Sequence, residues 1–242
     1  MTKDELSITL ADPEFEQVPG LLRRSFLPAY WQMGRIPILA IAGRSGSGTT
    51  YLAHMIQKAF KGSRLLSHDD YYRNDSGRPL FGRILSDESP EAYLARFKLD
   101  VQRLAKGKGL KDSPMFDLSR GKRLYRGRKI PAPAKRGVVI VEGSQVMNSL
   151  RAEDYRGFDV GIYIESPPED CLLRRVFRDN EERNISPAEL VATAPRMHLE
   201  YRQYGGEDQR ELADLIVHNP YNPITAVFVN IESGIPQGVE VA

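Results

Sequence analysis

The segment Gly43-Arg44-Ser45-Gly46-Ser47-Gly48-Thr49-Thr50 constrains the fold of this chain more than any other feature. It fits the phosphate-binding pattern G-x-x-x-x-G-K-S/T at every position except the lysine, whose place is taken by Thr49. Glycines allow the backbone to turn so that successive N–H groups point inward around an anion. We therefore predict that residues 43–50 bind the phosphates of a nucleotide, and that the Thr50 hydroxyl is a ligand of Mg²⁺.

The sequence on either side provides the strand and the helix that such a loop requires. Residues 36–42 are a continuous apolar run, which is typical of a parallel strand buried on both faces. After the loop, Leu52, Ile56 and Phe60 recur at helical spacing. A Gly- and Ser-rich turn without a ligand is the alternative, and the strand–loop–helix context disfavours it.

Apolar strands and amphipathic helices alternate along the rest of the chain. We expect further strands at 64–67, 137–143, 158–164 and 214–219, and helices at 50–60, 90–104 and 167–179. This alternation predicts an α/β fold, a parallel sheet with helices on both faces, and the loop at 43–50 indicates that the fold is of the P-loop NTPase type. Residues 114–135 are rich in Pro, Gly and basic side chains and suggest a small hairpin excursion.

The sequence divides into a main domain and two flanking sections. We predict an N-terminal extension at 1–35, a P-loop domain at 36–223 and a tail or edge element at 224–242. Residues 21–27 can form a short amphipathic helix, for which packing on the domain is favoured over membrane binding.

Composition narrows the choice of partners and compartment. The net charge is +2, so charge alone does not favour nucleic acid or a membrane surface. Cys171 is the single cysteine, which excludes an internal disulfide, and we expect it to be buried. The acidic N-terminus lacks the pattern of a signal peptide, and no apolar run is long enough to span a membrane. We expect a cytoplasmic protein with neither nucleic-acid nor membrane partners.

Carboxylates follow two of the expected strands, at the sheet edge where ligands of α/β proteins bind. Asp69 and Asp70 follow the strand at 64–67, and a carboxylate there can accept a proton from an attacking hydroxyl. Glu142 ends the strand at 137–143, where a carboxylate can hold Mg²⁺. An acidic turn and a solvated strand-end charge are the structural alternatives.

Four arginines, Arg174, Arg175, Arg178 and Arg183, are concentrated in and after one expected helix. Arginine suits phosphate recognition, so these side chains can form a lid over the nucleotide. The alternative is an exposed helix with internal salt bridges. Thr49 leaves three explanations open: another cation replaces the lysine, with Arg44 and these arginines as candidates; the site binds without catalysis; or the threonine is engineered.

Taken together, six segments resemble the uridine kinase and phosphoribulokinase group of P-loop kinases. They lie in order between residues 36 and 219, at 43–50, 67–72, 90–93, 114–123, 141–143 and 174–183. The resemblance implies ATP and Mg²⁺ as cofactors, Asp69 as the general base and Glu142 with Thr50 at the metal. It also implies that Arg174 contacts the nucleotide, and that Arg175 and Arg178 stabilise the transferring charge.

For the acceptor, the resemblance implies contacts from Tyr72, Glu91, Phe116 and Arg123. Three positions depart from the family pattern: Gly121 replaces a histidine that contacts the base, Ile185 replaces an arginine, and Glu91 replaces a shorter acid. A site that loses its hydrogen-bonding groups loses selectivity, so uridine is not assured as the acceptor.

We therefore predict an ATP-dependent phosphotransferase that acts on a hydroxyl of a nucleoside-like or other small acceptor. A nucleotide-binding pseudokinase with a regulatory role is the alternative. A nucleic-acid-dependent NTPase is disfavoured, because basic residues are concentrated only at 120–136. Assembly into a homo-oligomer is left open.

Overall fold

The computed structural model describes residues 15–71, 94–117, 122–124, 127–152, 155–183 and 185–219. Five parallel strands form the central sheet: β1 (Ile38–Gly43), β2 (Arg64–Ser67), β7 (Val139–Glu142), β8 (Val160–Glu165) and β9 (Leu215–His218). Their order across the sheet is β2-β7-β1-β8-β9, so β1 is central and the chain crosses from one side of it to the other after β7.

Apolar side chains alternate along the central strand and divide the interior into two cores. Leu39 and Ile41 face one core, into which Leu52 and Ile56 of the following helix also pack. Ala40 and its neighbours at even positions face the second core, which contains the helix at 94–105. Helices therefore cover both faces of the parallel sheet, which confirms the predicted fold class.

Helices overlap the three expected ranges, 50–60, 90–104 and 167–179, and the structure adds others. The helices are α1 (Gln17–Leu21), α2 (Leu27–Gln32), α3 (Thr49–Ala59), α4 (Leu94–Ala105), α5 (Val146–Leu150), α6 (Pro168–Arg183) and α7 (Pro187–Gln203). Helix α6 continues to Arg183, four residues beyond the expected end. Asn180, Glu181 and Glu182 interrupt the apolar pattern but do not break a helix, so the pattern alone placed the end too early. Ser186 begins α7 with a capping box that includes Glu189.

Part of the expected N-terminal extension packs on the domain. Val18, Leu22 and Leu27 have no exposed surface and join the core beneath α3. A π-helical turn, Leu22–Phe26, links α1 to α2. No helix within the described ranges is both long and apolar enough to cross a membrane.

The excursion between α4 and β7 consists of two small antiparallel pairs. Strand β3 (Leu110–Ser113) pairs with β6 (Arg128–Ile130), and β4 (Phe116–Asp117) pairs with β5 (Lys122–Arg123). The expected acceptor residues Tyr72 and Glu91 lie outside the described residues.

Candidate active site

The glycine-rich loop has the backbone that its sequence predicts. It joins the central strand β1 to α3, which begins at Thr49. Gly46 and Gly48 have φ angles of +90° and +106°, which a residue with a Cβ rarely adopts. A Cβ on Gly46 would also collide with the backbone oxygen of Cys171, because α6 packs directly on the loop. The loop is thus a preformed turn at a helix N-terminus, the geometry of an anion site.

Arg174 and Asn219 brace this loop from the side of β9. The Arg174 guanidinium donates to the Gly46 carbonyl at 3.3 Å and to the Asn219 carbonyl at 2.9 Å. The Asn219 side-chain amide donates in turn to the Ser47 carbonyl at 2.7 Å. Sequence reasoning missed Asn219, although its position directly after the last strand, at the ligand-binding edge, was an available signal.

Glu142 lies beneath the start of α3 and accepts hydrogen bonds from both threonines there. The Thr49 and Thr50 hydroxyls donate to its Oε2 atom at 3.0 and 3.2 Å. The carboxyl is only 4% exposed. Burial, and next the negative charge of Asp69, raise its pKa from 4.5 to about 7, against the opposing effect of hydrogen bonds from Ser67 and the two threonines.

Asp69 and Asp70 share one 3-10 turn, His68–Tyr71, but have different neighbours. The Asp70 carboxylate accepts the Phe116 N–H at 3.3 Å and pairs with Arg128 at 2.9 Å. Asp70 therefore fixes the excursion to the main domain. Asp69 is half-buried on the side of Glu142, where its charge raises the pKa of that carboxyl.

Asp179 joins the two arginines that were expected to stabilise transferring charge. It is fully buried and accepts from Arg175 Nε at 3.0 Å and from Arg178 Nε at 2.7 Å. Arg175 is itself 2% exposed and lines a cavity of about 160 Å³ between the loop, α6 and α7. The arginine-rich helices thus form a packed hairpin with internal ion pairs. The catalytic roles of these arginines stay predictions.

Arg44, the candidate within the loop for the missing cation, is engaged elsewhere. Its guanidinium pairs with Glu207 at 3.2 Å and lies 4.3 Å from the ring centroid of Tyr201. Among the residues that the structure describes, no lysine or arginine forms an ion pair with Glu142. The place of the lysine is therefore filled by a hydroxyl group.

Of the expected acceptor residues, Phe116 and Arg123 are directly opposite each other in the β4–β5 pair. Phe116 is half-buried, and Asp70 holds its backbone beside the turn that carries Asp69. This arrangement brings one expected acceptor residue near the expected base.

The oxygen atoms at the end of β7 suit Mg²⁺. A buried carboxylate with no cationic partner in the described part of the chain, and a threonine hydroxyl on the same oxygen, are hard ligands of the kind this ion prefers. Magnesium usually keeps several waters and takes one or two protein ligands. This small number of protein ligands is consistent with the site, because the described residues contain no cluster of three or more Asp, Glu, His or Cys side chains that could hold a metal ion.

A parallel sheet, a glycine-rich loop after its central strand and carboxylates at the neighbouring strand ends together define a P-loop NTPase fold. Two curated relatives agree: the uridine kinases of Chlamydia pneumoniae and Bacillus subtilis (strain 168) are 28% and 27% identical over 187 and 194 residues. Each alignment covers 76% of this chain, and 82% and 87% of the respective relative. No protein-family model matches the chain.

Solved structures show the same fold. The YGR205w protein has a TM-score of 0.59 at 13% identity, over 85% of this chain and 94% of its own. A provisionally described fructose transport system kinase from Silicibacter sp. TM1040 has a TM-score of 0.56 at 16% identity, over 87% and 100% of the two chains. The predicted resemblance to the uridine kinase and phosphoribulokinase group of P-loop kinases is confirmed by the curated relatives, and the solved structures support the fold.

Proposed function

We propose that the protein transfers the γ-phosphoryl group of ATP to a hydroxyl of a nucleoside-like or other small acceptor. The observation that carries this proposal is the convergence of Thr50, Glu142 and Asp69 at the helix end of the loop. A protein that only bound nucleotide would not need a second carboxylate beside the one at the metal.

The loop N–H groups would hold the phosphates, and the Asp69 carboxylate would accept the proton of the acceptor hydroxyl. The acceptor oxygen would form its bond to the γ-phosphorus while the bond to the β,γ-bridging oxygen breaks, which releases ADP. Thr50 and Glu142 would hold Mg²⁺, which when bound neutralises phosphate charge. The partners are thus a nucleotide and a small acceptor. The cytoplasmic location, the absence of nucleic-acid and membrane partners, and the oligomeric state stay predictions.

Without the lysine, the transferring charge would depend on the loop N–H groups and on the arginines of α6. A hydrogen bond from a charged group contributes roughly 1.5–3 kcal/mol, so transfer would be slower by about one to two orders of magnitude than with a lysine. Nucleotide binding would survive, because the backbone turn that supports it is intact.

The test is ADP formation with a panel of nucleosides, sugars and hydroxy acids, for the native chain and Asp69→Asn. We expect acceptor-dependent ADP from the native chain, and loss of transfer with retained ATP affinity in Asp69→Asn. Transfer that persisted in this variant would show that Asp69 is not the base.

One observation favours a second function, a nucleotide-binding protein with a regulatory role. The Thr49 hydroxyl occupies the position from which a lysine would reach the phosphates, and it is bonded to Glu142 instead. Tight binding of Mg-ATP without turnover on any acceptor in the panel would favour this second function over the first.

A further inference from the structure

The strand order separates the two ends of a nucleotide bound to the loop. Asp69 and Glu142 follow β2 and β7, which lie on one side of β1. Asn219 follows β9, on the other side of β1. If the metal and the reacting phosphate lie at Glu142, as in the proposed function, the nucleoside must extend toward the side of Asn219.

An aromatic pair stands at the loop on this second side. A Cβ built on Gly48 would lie 3.1 Å from the ring of Phe15 and 3.1 Å from the side-chain nitrogen of Asn219. Phe15 therefore lies against the last glycine of the loop, beside the residue that braces it. Its ring meets that of Tyr51 edge to face, with centroids 5.8 Å apart and an interplanar angle of 66°.

Tyr51 has the position and exposure of a ligand contact. It follows Thr50 on α3, and successive helical residues are turned by about 100° around the axis. Thr50 points at Glu142, whereas Tyr51 points at Phe15. The Tyr51 side chain remains 49% exposed although it lies one residue from the expected metal ligand.

We propose that Phe15 and Tyr51 form an aromatic wall that contacts the nucleoside of the bound nucleotide. This inference rests on the proposed function, since it takes nucleotide phosphates on the loop as given. Aromatic rings bind bases by stacking and edge contacts, and the affinity gained does not depend on hydrogen-bonding groups. The N-terminal segment would thus complete the site by supplying a residue that is distant in sequence from the loop.

The test compares ATP with inorganic tripolyphosphate, which has the phosphates but no nucleoside. We expect Phe15→Ala to weaken ATP binding about tenfold or more, measured by calorimetry, and to leave tripolyphosphate affinity within about twofold. Phe15→Trp retains a ring and should retain ATP affinity. Tyr51→Ala, at an exposed position, provides the same measurement if Phe15→Ala does not fold.

Trp31→Leu is the matched control. Trp31 belongs to the same N-terminal segment but packs on Phe60, beyond the far end of α3, a helix about 16 Å long. We expect this variant to lose stability without any change in the ratio of ATP to tripolyphosphate affinity.

An equal loss of affinity for ATP and for tripolyphosphate in Phe15→Ala would overturn the inference, because Phe15 would then only support the loop. Tighter ATP binding in Phe15→Ala would also overturn it, because Phe15 would then obstruct the nucleoside. If the native chain bound neither ligand, the proposed function would fail together with the inference, and this result is distinct from the other two.

Discussion

The Thr49 hydroxyl donates a hydrogen bond to Glu142 at 3.0 Å, so the residue in place of the P-loop lysine contacts the carboxylate expected to hold the metal. A lysine here would bring a positive charge to a buried carboxyl that lies beside another carboxylate. With threonine, burial and the charge of Asp69 raise the pKa of Glu142 with only hydrogen bonds to oppose them. The substitution thus affects the metal site as well as the phosphates.

Thr49→Lys should raise the rate of transfer about 10- to 100-fold, because a cation again reaches the β- and γ-phosphates. The comparison is kcat at saturating ATP, with Thr49→Met as the control for side-chain length without charge. An unchanged or lower kcat in Thr49→Lys would show that another group already performs the lysine's role.

The contribution of Glu142 to the free energy of unfolding should fall as the pH rises from about 4.5 to about 7. In this window folded Glu142 holds a proton that the unfolded chain has released, so the folded state binds more protons and loses stability with rising pH. The effect of this one group is about 3 kcal/mol at most. Glu142→Gln should therefore match the native chain near pH 4.5 and be more stable at pH 8, measured by urea unfolding. Parallel profiles for the two proteins would contradict the raised pKa.

Magnesium-dependent binding of ADP should strengthen about fivefold between pH 6 and pH 7, gain about twofold more by pH 8 and then level off. A protonated Glu142 is a poor metal ligand, and its raised pKa places the loss of the proton in this range. Titration of Mg²⁺ at fixed ADP measures the effect. In Thr49→Lys the dependence should move to lower pH; a dependence that did not move would mean that Glu142 does not hold the metal.

Arg128→Ala should cost about 1–2 kcal/mol of stability at pH 8, because it removes the cation from the partly buried Asp70 carboxylate. Burial raises the pKa of Asp70 and Arg128 opposes this effect, so the cost should shrink at low pH, where the carboxyl is neutral. Asp70 also holds Phe116, and KM for the acceptor should rise more than KM for ATP. Lys129→Ala, at the exposed neighbouring position, is the control. An equal loss of stability in Lys129→Ala would show that the Arg128–Asp70 ion pair is not the cause.

Most of the fold could be predicted from the sequence, because its signals are local. The run at 36–42 and the glycines after it identify β1 and the loop. Strand ends also located Asp69 and Glu142 at one edge of the sheet.

What the sequence could not reveal depends on contacts between distant residues. Nothing near Asp70 in the sequence indicates that it will pair with Arg128, 58 positions away. Likewise, the pairing of Arg44 with Glu207 spans 163 positions, and the position of Phe15 against Gly48 depends on how α1 packs. These long-range contacts determine which of several chemically similar side chains lie at the candidate active site.

We propose above that this loop supports phosphoryl transfer although it lacks its lysine. The most direct measurement is the appearance of labelled phosphoryl acceptor from γ-labelled ATP, with native chain and Thr49→Lys assayed side by side on the acceptor panel. We predict slow, acceptor-dependent transfer by the native chain, faster transfer by Thr49→Lys, and none by Asp69→Asn. Tight Mg-ATP binding without labelled product from either of the first two proteins would contradict this proposal.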